Sequence, residues 1–223
     1  ETCGARLTMN YYVPGGLMAD LHPDFQKKVK EFIVLFKRKI DEYDELVTGN
    51  IIFINRMKGV GFLSKEDAIS YGCSGPAARG SGVNSDIRKL YPYAVYDKVQ
   101  FDEVLETGCD SLARYMIRIR EMKQSIRIIE QLIDNIPEGD FQAKTKAVLK
   151  LPKGEFYTRV ETARGELGVY IVSEGGTTPY RIKFRSPGFS NLSALDHMAR
   201  GSKLGDLVAM MGTLDLVIPD IDR

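Results

Sequence analysis

Two stretches of this chain bring an apolar residue back every three or four positions over four or more helical turns, and they constrain the fold more than any other feature. Val29, Phe32, Phe36, Ile40, Tyr43 and Val47 form one series; Leu112, Tyr115, Ile119, Met122, Ile126, Ile129 and Ile133 form the other. At 3.6 residues per turn each series lines one face of a helix, and a helix apolar on one face must lay that face on a partner. Both stripes are therefore expected in the core of a helical bundle, not against a membrane or a cofactor.

The ends and breaks of these elements are also legible. Pro14-Gly15-Gly16 reads as a turn, and His22-Pro23-Asp24 is expected to open the first long helix, with Pro at its first position and Asp near its positive end. Gly49-Asn50 interrupts that helix, and Ser64 followed by Asp67 predicts a capping box for a short helix running toward Tyr71. From Gly72 to Gly82 the chain reads as a turn-rich connector. Past Leu151-Pro152-Lys153-Gly154 the period changes: Phe156 to Glu161, Gly168 to Ser173 and Tyr180 to Arg185 read as strands, with Glu174 to Pro179 supplying a turn. Tyr180, Ile182 and Phe184 alternate with Arg181, Lys183 and Arg185, which predicts a half-buried strand with its apolar side inward. Helical character returns from Asn191 through Met211, broken near Gly201. The expected fold is α+β and predominantly helical, one unit over residues 1–223 with a small antiparallel sheet region at 156–185.

Several function classes are disfavoured. With 31 Lys and Arg against 30 Asp and Glu, the net charge of +1 gives no long-range pull toward nucleic acid, and no nucleic-acid partner is expected. No stretch approaches the ~20 apolar residues of a membrane span. Cys3, Cys73 and Cys109 are too scattered for a metal-ligand pair and odd in number for a disulfide framework, so Cys73 and Cys109 read as packing residues in a reducing compartment. Gly75-Pro76-Ala77-Ala78-Arg79-Gly80-Ser81-Gly82 lacks the terminal Gly-Lys-Ser/Thr of a phosphate loop and reads as a close-packed structural loop. His22 and His197, the only histidines, read as a helix-boundary residue and a polar contact, not as parts of a triad. Arg114 and Arg118, one turn apart with Glu121 nearby, read as a solvated or salt-bridged helix face.

A series of landmarks in fixed order carries more information. It runs through Gly4-Ala5-Arg6, Pro14-Gly15-Gly16, Gly75-Pro76, Arg79-Gly80-Ser81-Gly82, Tyr91-Pro92-Tyr93 and Tyr96-Asp97. It continues through Arg114-Tyr115, Arg118, Glu121-Met122, Gly165-Glu166-Leu167-Gly168, Pro179-Tyr180-Arg181 and Arg185-Ser186-Pro187-Gly188-Phe189, and closes on Gly212-Thr213-Leu214-Asp215 and Ile221-Asp222-Arg223. In this order the chain resembles the carboxy-terminal part of the D-type subunit of bacterial NADH-quinone oxidoreductase, the hydrogenase-like quinone-site subunit of respiratory complex I. Three local departures accompany the resemblance: Val13 for a usual Arg, Thr8 for a common His, and Ile218-Pro219 for a common Phe-Gly, where Pro should stiffen the loop.

The resemblance implies a core like that of the nickel-iron hydrogenase large subunit. The last metal-binding Cys-x-x-Cys pair of that protein matches Val217 and Asp220 here, so the soft ligands are gone and no metal is expected. It further implies a wall of a quinone chamber, with Asp215, Val217 and Arg223 as site candidates and Arg79 as a structural candidate. NAD, flavin and iron-sulfur centres would sit in other subunits, and the chain alone would be inactive. Implied partners are the other peripheral-arm subunits and the membrane subunit of the chamber, at the cytoplasmic face of the bacterial inner membrane. Two alternatives stand beside it: a structural subunit of a related ion-translocating oxidoreductase with another electron donor, and a fragment of a nickel-iron hydrogenase large subunit.

Overall fold

A computed structural model of the chain describes Thr2, residues 11–146 and residues 148–222. Both long stripes are helices: α1 spans Phe25–Tyr43 and α6 spans Ser111–Leu132. They run antiparallel, because Lys30 pairs with Asp134, Lys37 with Glu130, and Asp44 beyond the end of α1 with Lys123. Between them Ile33, Ile40, Ile119 and Ile126 are buried, with Val29, Phe36, Tyr115 and Met122 packed around them. The packing row of α1 is thus Val29, Ile33, Phe36 and Ile40. Phe32, expected in the core, is 50% exposed, and Tyr43 and Ile129 are also exposed. Each residue turns a helix by about 100°, so Phe32 lies a third of a turn away from Ile33 and instead stacks on Phe36, ring centroids 5.2 Å apart.

The expected start of α1 is displaced by two residues. Helical geometry begins at Phe25 with Asp24 as the flanking cap residue, and its carboxylate makes no cap hydrogen bond, so Pro23 precedes the cap instead of opening the helix. His22 is a boundary residue as expected, its Nδ1 accepting from the Asp24 N–H at 3.1 Å. After Tyr43 a π-helical turn covers Asp44–Thr48, and the Gly49-Asn50 break follows. The Asn50 side chain caps α2 (Ile51–Met57) by accepting from the Ile52 N–H. Ser64 caps α3 (Lys65–Ser70), its Oγ accepting from the Asp67 N–H at 3.0 Å.

The glycine-rich connector differs from its expected form. Gly75–Arg79 is a helical turn, α4, and all five of its residues are buried. Close packing is the part of the expectation that holds: a Cβ on Gly75, at φ +61°, would stand 2.5 Å from the Gly165 Cα. Asp86 then caps the short α5 (Ile87–Leu90).

Near the amino end, β1 (Tyr12–Val13) and β2 (Gly16–Leu17) pair across the Pro14-Gly15 turn. The larger sheet holds β3 (Gly154–Thr162), β4 (Gly165–Ser173) and β5 (Arg181–Arg185), antiparallel and in sequence order. Phe156, Ile171 and Ile182 align across the three strands, as do Thr158, Val169 and Phe184, so the predicted alternation is present. Burial of its apolar side is not: Ile182 and Phe184 are each 46% exposed and Tyr180 is 73% exposed. Of the cations on the other side Arg181 and Lys183 are exposed as well, and only Arg185 docks. Arg185 donates to Ser74 Oγ at 2.9 Å and to the carbonyls of Glu166 and Gly72, each at 2.7 Å.

Four helices complete the chain: α7 (Pro187–Ser193), α8 (Leu195–Ala199), α9 (Leu204–Leu214) and α10 (Ile218–Ile221). The break between α8 and α9 falls at Gly201, at φ +77°, as expected. A second core gathers Leu63, Ala68, Cys73, Ala77, Ala78, Ala194, Met198, Met210 and Leu214. Cys73 is a packing residue there, and burial pushes its thiol pKa up to about 11. Among the described residues no helix is long and apolar enough to cross a membrane.

Candidate functional site

Beside the first core, where Phe36 and Met122 reach its wall, lies a cleft of about 370 Å³ whose walls include Arg79, Arg118, Glu121, Glu161, Tyr96 and Asp215. Arg79 is brought there by α4. Its guanidinium is 1% exposed and spans two carboxylates: Nη2 lies 2.6 Å from Glu121 on α6, and Nη1 donates at 2.8 Å to Glu161 on β3. Burial works against the charge, but the fields of Glu121 and Glu161 outweigh it, so Arg79 is held above its usual pKa. One side chain thereby ties a helical turn, the long helix and the sheet together.

A second ion pair stands behind the first. Arg88 forks onto the fully buried Asp86, Nε to Oδ1 at 2.9 Å and Nη2 to Oδ2 at 2.6 Å. Burial would raise the Asp86 pKa, but the Arg88 hydrogen bond and charge reverse this and leave it lowered. Arg88 also lies over the Phe101 ring, 4.9 Å from its centroid.

Arg114 and Arg118 do not behave as a solvated face. Arg114 is fully buried and has no carboxylate in contact among the described residues. Its donors go to the Gly61 carbonyl at 2.8 Å, Ser111 Oγ at 3.0 Å and Thr213 Oγ1 at 3.3 Å. Burial drives its pKa down to about 10. Arg118 donates to the Arg114 carbonyl and opens on the cleft; its pKa is also lowered by burial, against the opposing fields of Asp215 and Glu121. Spacing along α6 predicts that Glu121 balances these two arginines, yet it is Arg79 that takes it up. The pattern on α6 alone does not reveal this, because α4 arrives from elsewhere in the chain.

Asp215 terminates α9 in the left-handed conformation, at φ +56°. Arg164, in the β3–β4 turn, donates from Nε to the Asp215 carbonyl at 3.1 Å and lies 3.4 Å from its Oδ2. Of the four expected site residues, Arg79 and Asp215 share the cleft. Val217 does not line it: half-buried, it is the residue flanking the start of α10. Arg223 lies outside the described residues. Asp220 uses its carboxylate to accept the Gly188 N–H at 2.9 Å, which secures α7. Glu161 and Arg164 join the site without any signal in the sequence that marks them for it. Both sit at the tip of a hairpin whose docking depends on tertiary contact, although Arg164 borders the Gly165-Glu166-Leu167-Gly168 motif.

The carboxylates of the cleft, Glu121, Glu161 and Asp215, each face an arginine, while Arg118 bonds the Arg114 carbonyl. His22 remains at its helix boundary, and His197 faces Asp67 at 3.3 Å on the surface. Among the described residues no group of three or more His, Cys, Asp or Glu side chains is placed to hold a metal ion. What the cleft can do is present fixed, alternating charge to a polar group.

The chain belongs to the family of the 49 kDa subunit of respiratory-chain NADH dehydrogenase, whose model matches residues 1–150 and 144–223. Over its whole length it is 54% identical to the NADH-quinone oxidoreductase subunit designated C/D in Bacteroides thetaiotaomicron, of which it covers 42%. It is 45% identical over 99% of its length to the NADH-quinone oxidoreductase subunit designated D 2 in Solibacter usitatus, covering 60% of that protein. With the corresponding subunit of Bacillus cereus, designated D, it shares 44% identity over its full length, covering 61%. The chain therefore spans about two fifths to three fifths of these relatives.

Proposed function

We propose that this chain is part of a D-type subunit within an NADH-quinone oxidoreductase, where it supplies one wall of the quinone chamber and contacts to neighbouring subunits. The observation that carries the reading is convergence. Arg79, Tyr96, Arg118, Glu121 with Met122, and Asp215 come from five separate landmark motifs and gather around one cleft. Structural maintenance alone would not require the motifs of distant segments to meet at an open, charged surface.

In this reading the core is hydrogenase-like but keeps no metal. Val217 offers no ligand atom on its side chain, and the Asp220 carboxylate is a hard donor already bonded to the Gly188 N–H. NAD, flavin and iron-sulfur centres belong to other subunits, and quinone meets this chain only at the interface completed by the rest of its own subunit and the membrane subunit. Within the chamber, Asp215 and Arg118 present polar groups, and Val217 shapes the segment beyond. The site would sit in the peripheral arm, at the cytoplasmic face of the bacterial inner membrane, and the isolated chain would be inactive.

The test is made in the complete enzyme. Val217→Phe enlarges a half-buried residue at the head of α10 and should displace its neighbours. The reading predicts a raised KM for quinone with unchanged electron transfer from NADH to an artificial acceptor upstream and normal assembly. Unchanged quinone kinetics and inhibitor sensitivity would overturn it.

A further inference from the structure

We propose that Arg164 is a positioning residue that sets the Asp215 turn and, through it, the path of the chamber-side segment to Val217; the inference rests on the quinone-chamber reading. Its backbone is held from several sides. The Arg164 carbonyl accepts from Asn191 Nδ2 at 3.2 Å, while Asn191 Oδ1 accepts from the Ser74 N–H at 3.2 Å. Ser74 Oγ accepts from the Glu166 N–H at 3.1 Å and from Arg185 at 2.9 Å. Thr162 Oγ1 closes the turn by donating to the Gly165 carbonyl at 2.9 Å. The approach of α4 leaves no space: a Cβ on Gly165 would lie 2.5 Å from Ser74 Oγ, and one on Gly75 would lie 2.6 Å from the Arg164 carbonyl oxygen. The guanidinium thus projects from an immobilised platform.

Its side chain reaches the one residue of that segment with a positive φ. Arg164 Nε donates at 3.1 Å to the Asp215 carbonyl and lies 3.4 Å from its carboxylate. Asp215 at φ +56° adopts the left-handed state, which Asp tolerates better than most non-glycine residues but still at a cost, and the bond from Arg164 to its carbonyl adds to what holds the turn. The segment is anchored again at its far end, where Ser186 Oγ donates to the Asp220 carbonyl and the Asp220 carboxylate accepts from Gly188. Between these anchors the chain carries Leu216 into the second core and Val217 to the head of α10.

Charge alone is not the role of Arg164, because Arg118 also lies within the field of Asp215. Losing Arg164 would leave Asp215 a cationic neighbour but remove the bond to its carbonyl, which fixes direction. A displaced wall weakens quinone binding more than it slows the electron-transfer machinery elsewhere.

The experiment compares Arg164→Ala, Arg164→Lys and Val217→Phe in the complete enzyme, with a soluble short-chain quinone. Arg164→Ala should raise the quinone KM severalfold, with about tenfold as the ceiling reached if the whole worth of one charge-assisted hydrogen bond must be supplied on binding to re-form the wall. Its kcat, extent of assembly and upstream-acceptor rate should change less than about twofold, and Arg164→Lys should recover most of the KM. If Arg164→Ala leaves KM unchanged while Val217→Phe raises it, the role of Arg164 is refuted and the chamber reading stands. If neither moves KM, both fail. If Arg164→Ala prevents assembly, Arg164→Met and Arg164→Lys decide: Met keeps the aliphatic stem but has no donor for the Asp215 carbonyl, so a raised KM in Met alone supports positioning, and equal KM values overturn it. Activity falling only in proportion to the loss of assembled enzyme would mean a purely structural contact and would also overturn it.

Discussion

Replacing Arg79 by alanine removes the single cation that joins α4, α6 and β3. Glu161 is 5% exposed and would lose its bond of 2.8 Å, and Glu121 would lose its contact of 2.6 Å. Breaking a buried pair by deleting one partner costs about 3–5 kcal/mol, because the remaining charge is stranded in a poorly solvated place. Two stranded carboxylates put this variant at the upper end of that range, although Glu121 is partly solvated and contributes less. Removing charge on both sides should be far milder: Arg79→Met with Glu161→Gln leaves only Glu121, and should cost about 1–2 kcal/mol. Urea unfolding of the purified chain, followed by far-ultraviolet circular dichroism, measures both, with incorporation into the complete enzyme as a companion readout. A loss below about 1 kcal/mol for Arg79→Ala, the value of an exposed pair, would refute the claim that this tie holds the cleft together.

Further outcomes follow from Cys73 in the second core and from the close approach of Gly75 to the sheet. Cys73 has its thiol pKa raised by burial to about 11, so it should resist alkylation at pH 8 in the folded chain and react after unfolding. The sign follows from linkage: this contribution to stability is fully present below the ordinary thiol pKa and is lost as pH rises through about 11. Gly75→Ala should destabilise by more than about 3 kcal/mol, because the new Cβ would meet the Gly165 backbone at 2.5 Å and φ is +61°. Differential scanning calorimetry would register that as a large fall in Tm, whereas Gly72→Ala, with open space around it, should cost only the strain of its own positive φ.

The helices are readable because their signal is local. Periodicity places α1 and α6 correctly and fails only in choosing which of two neighbouring rows faces the partner, hence Phe32 in solvent and Ile33 in the core. The Ser64 cap, the Gly49-Asn50 break and the three antiparallel strands are likewise set by residues close in sequence. What stays hidden in the sequence depends on docking. Arg114 and Arg118 look the same one turn apart whether water or a core surrounds them, and only the arrival of α4 and α9 decides. Alternation predicts that the sheet buries its apolar side, but β5 is anchored by Arg185 alone, which finds acceptors on the Gly72 to Ser74 loop, and both of its faces stay largely exposed. Family motifs locate Arg79 and Asp215 without showing that they share a cleft, and they do not single out Arg164, whose importance lies in a contact across 51 positions.

If the segment following Asp215 borders bound quinone, photoaffinity labelling of the complete enzyme will reveal it. A quinone analogue with a photoreactive group on its ring, activated under turnover conditions and mapped by peptide mass spectrometry, should label residues between Thr213 and Asp222. Excess quinone should abolish that label, and Val217→Phe should weaken it. Reproducible, competable labelling of other subunits with none on this segment would mean that quinone binds elsewhere.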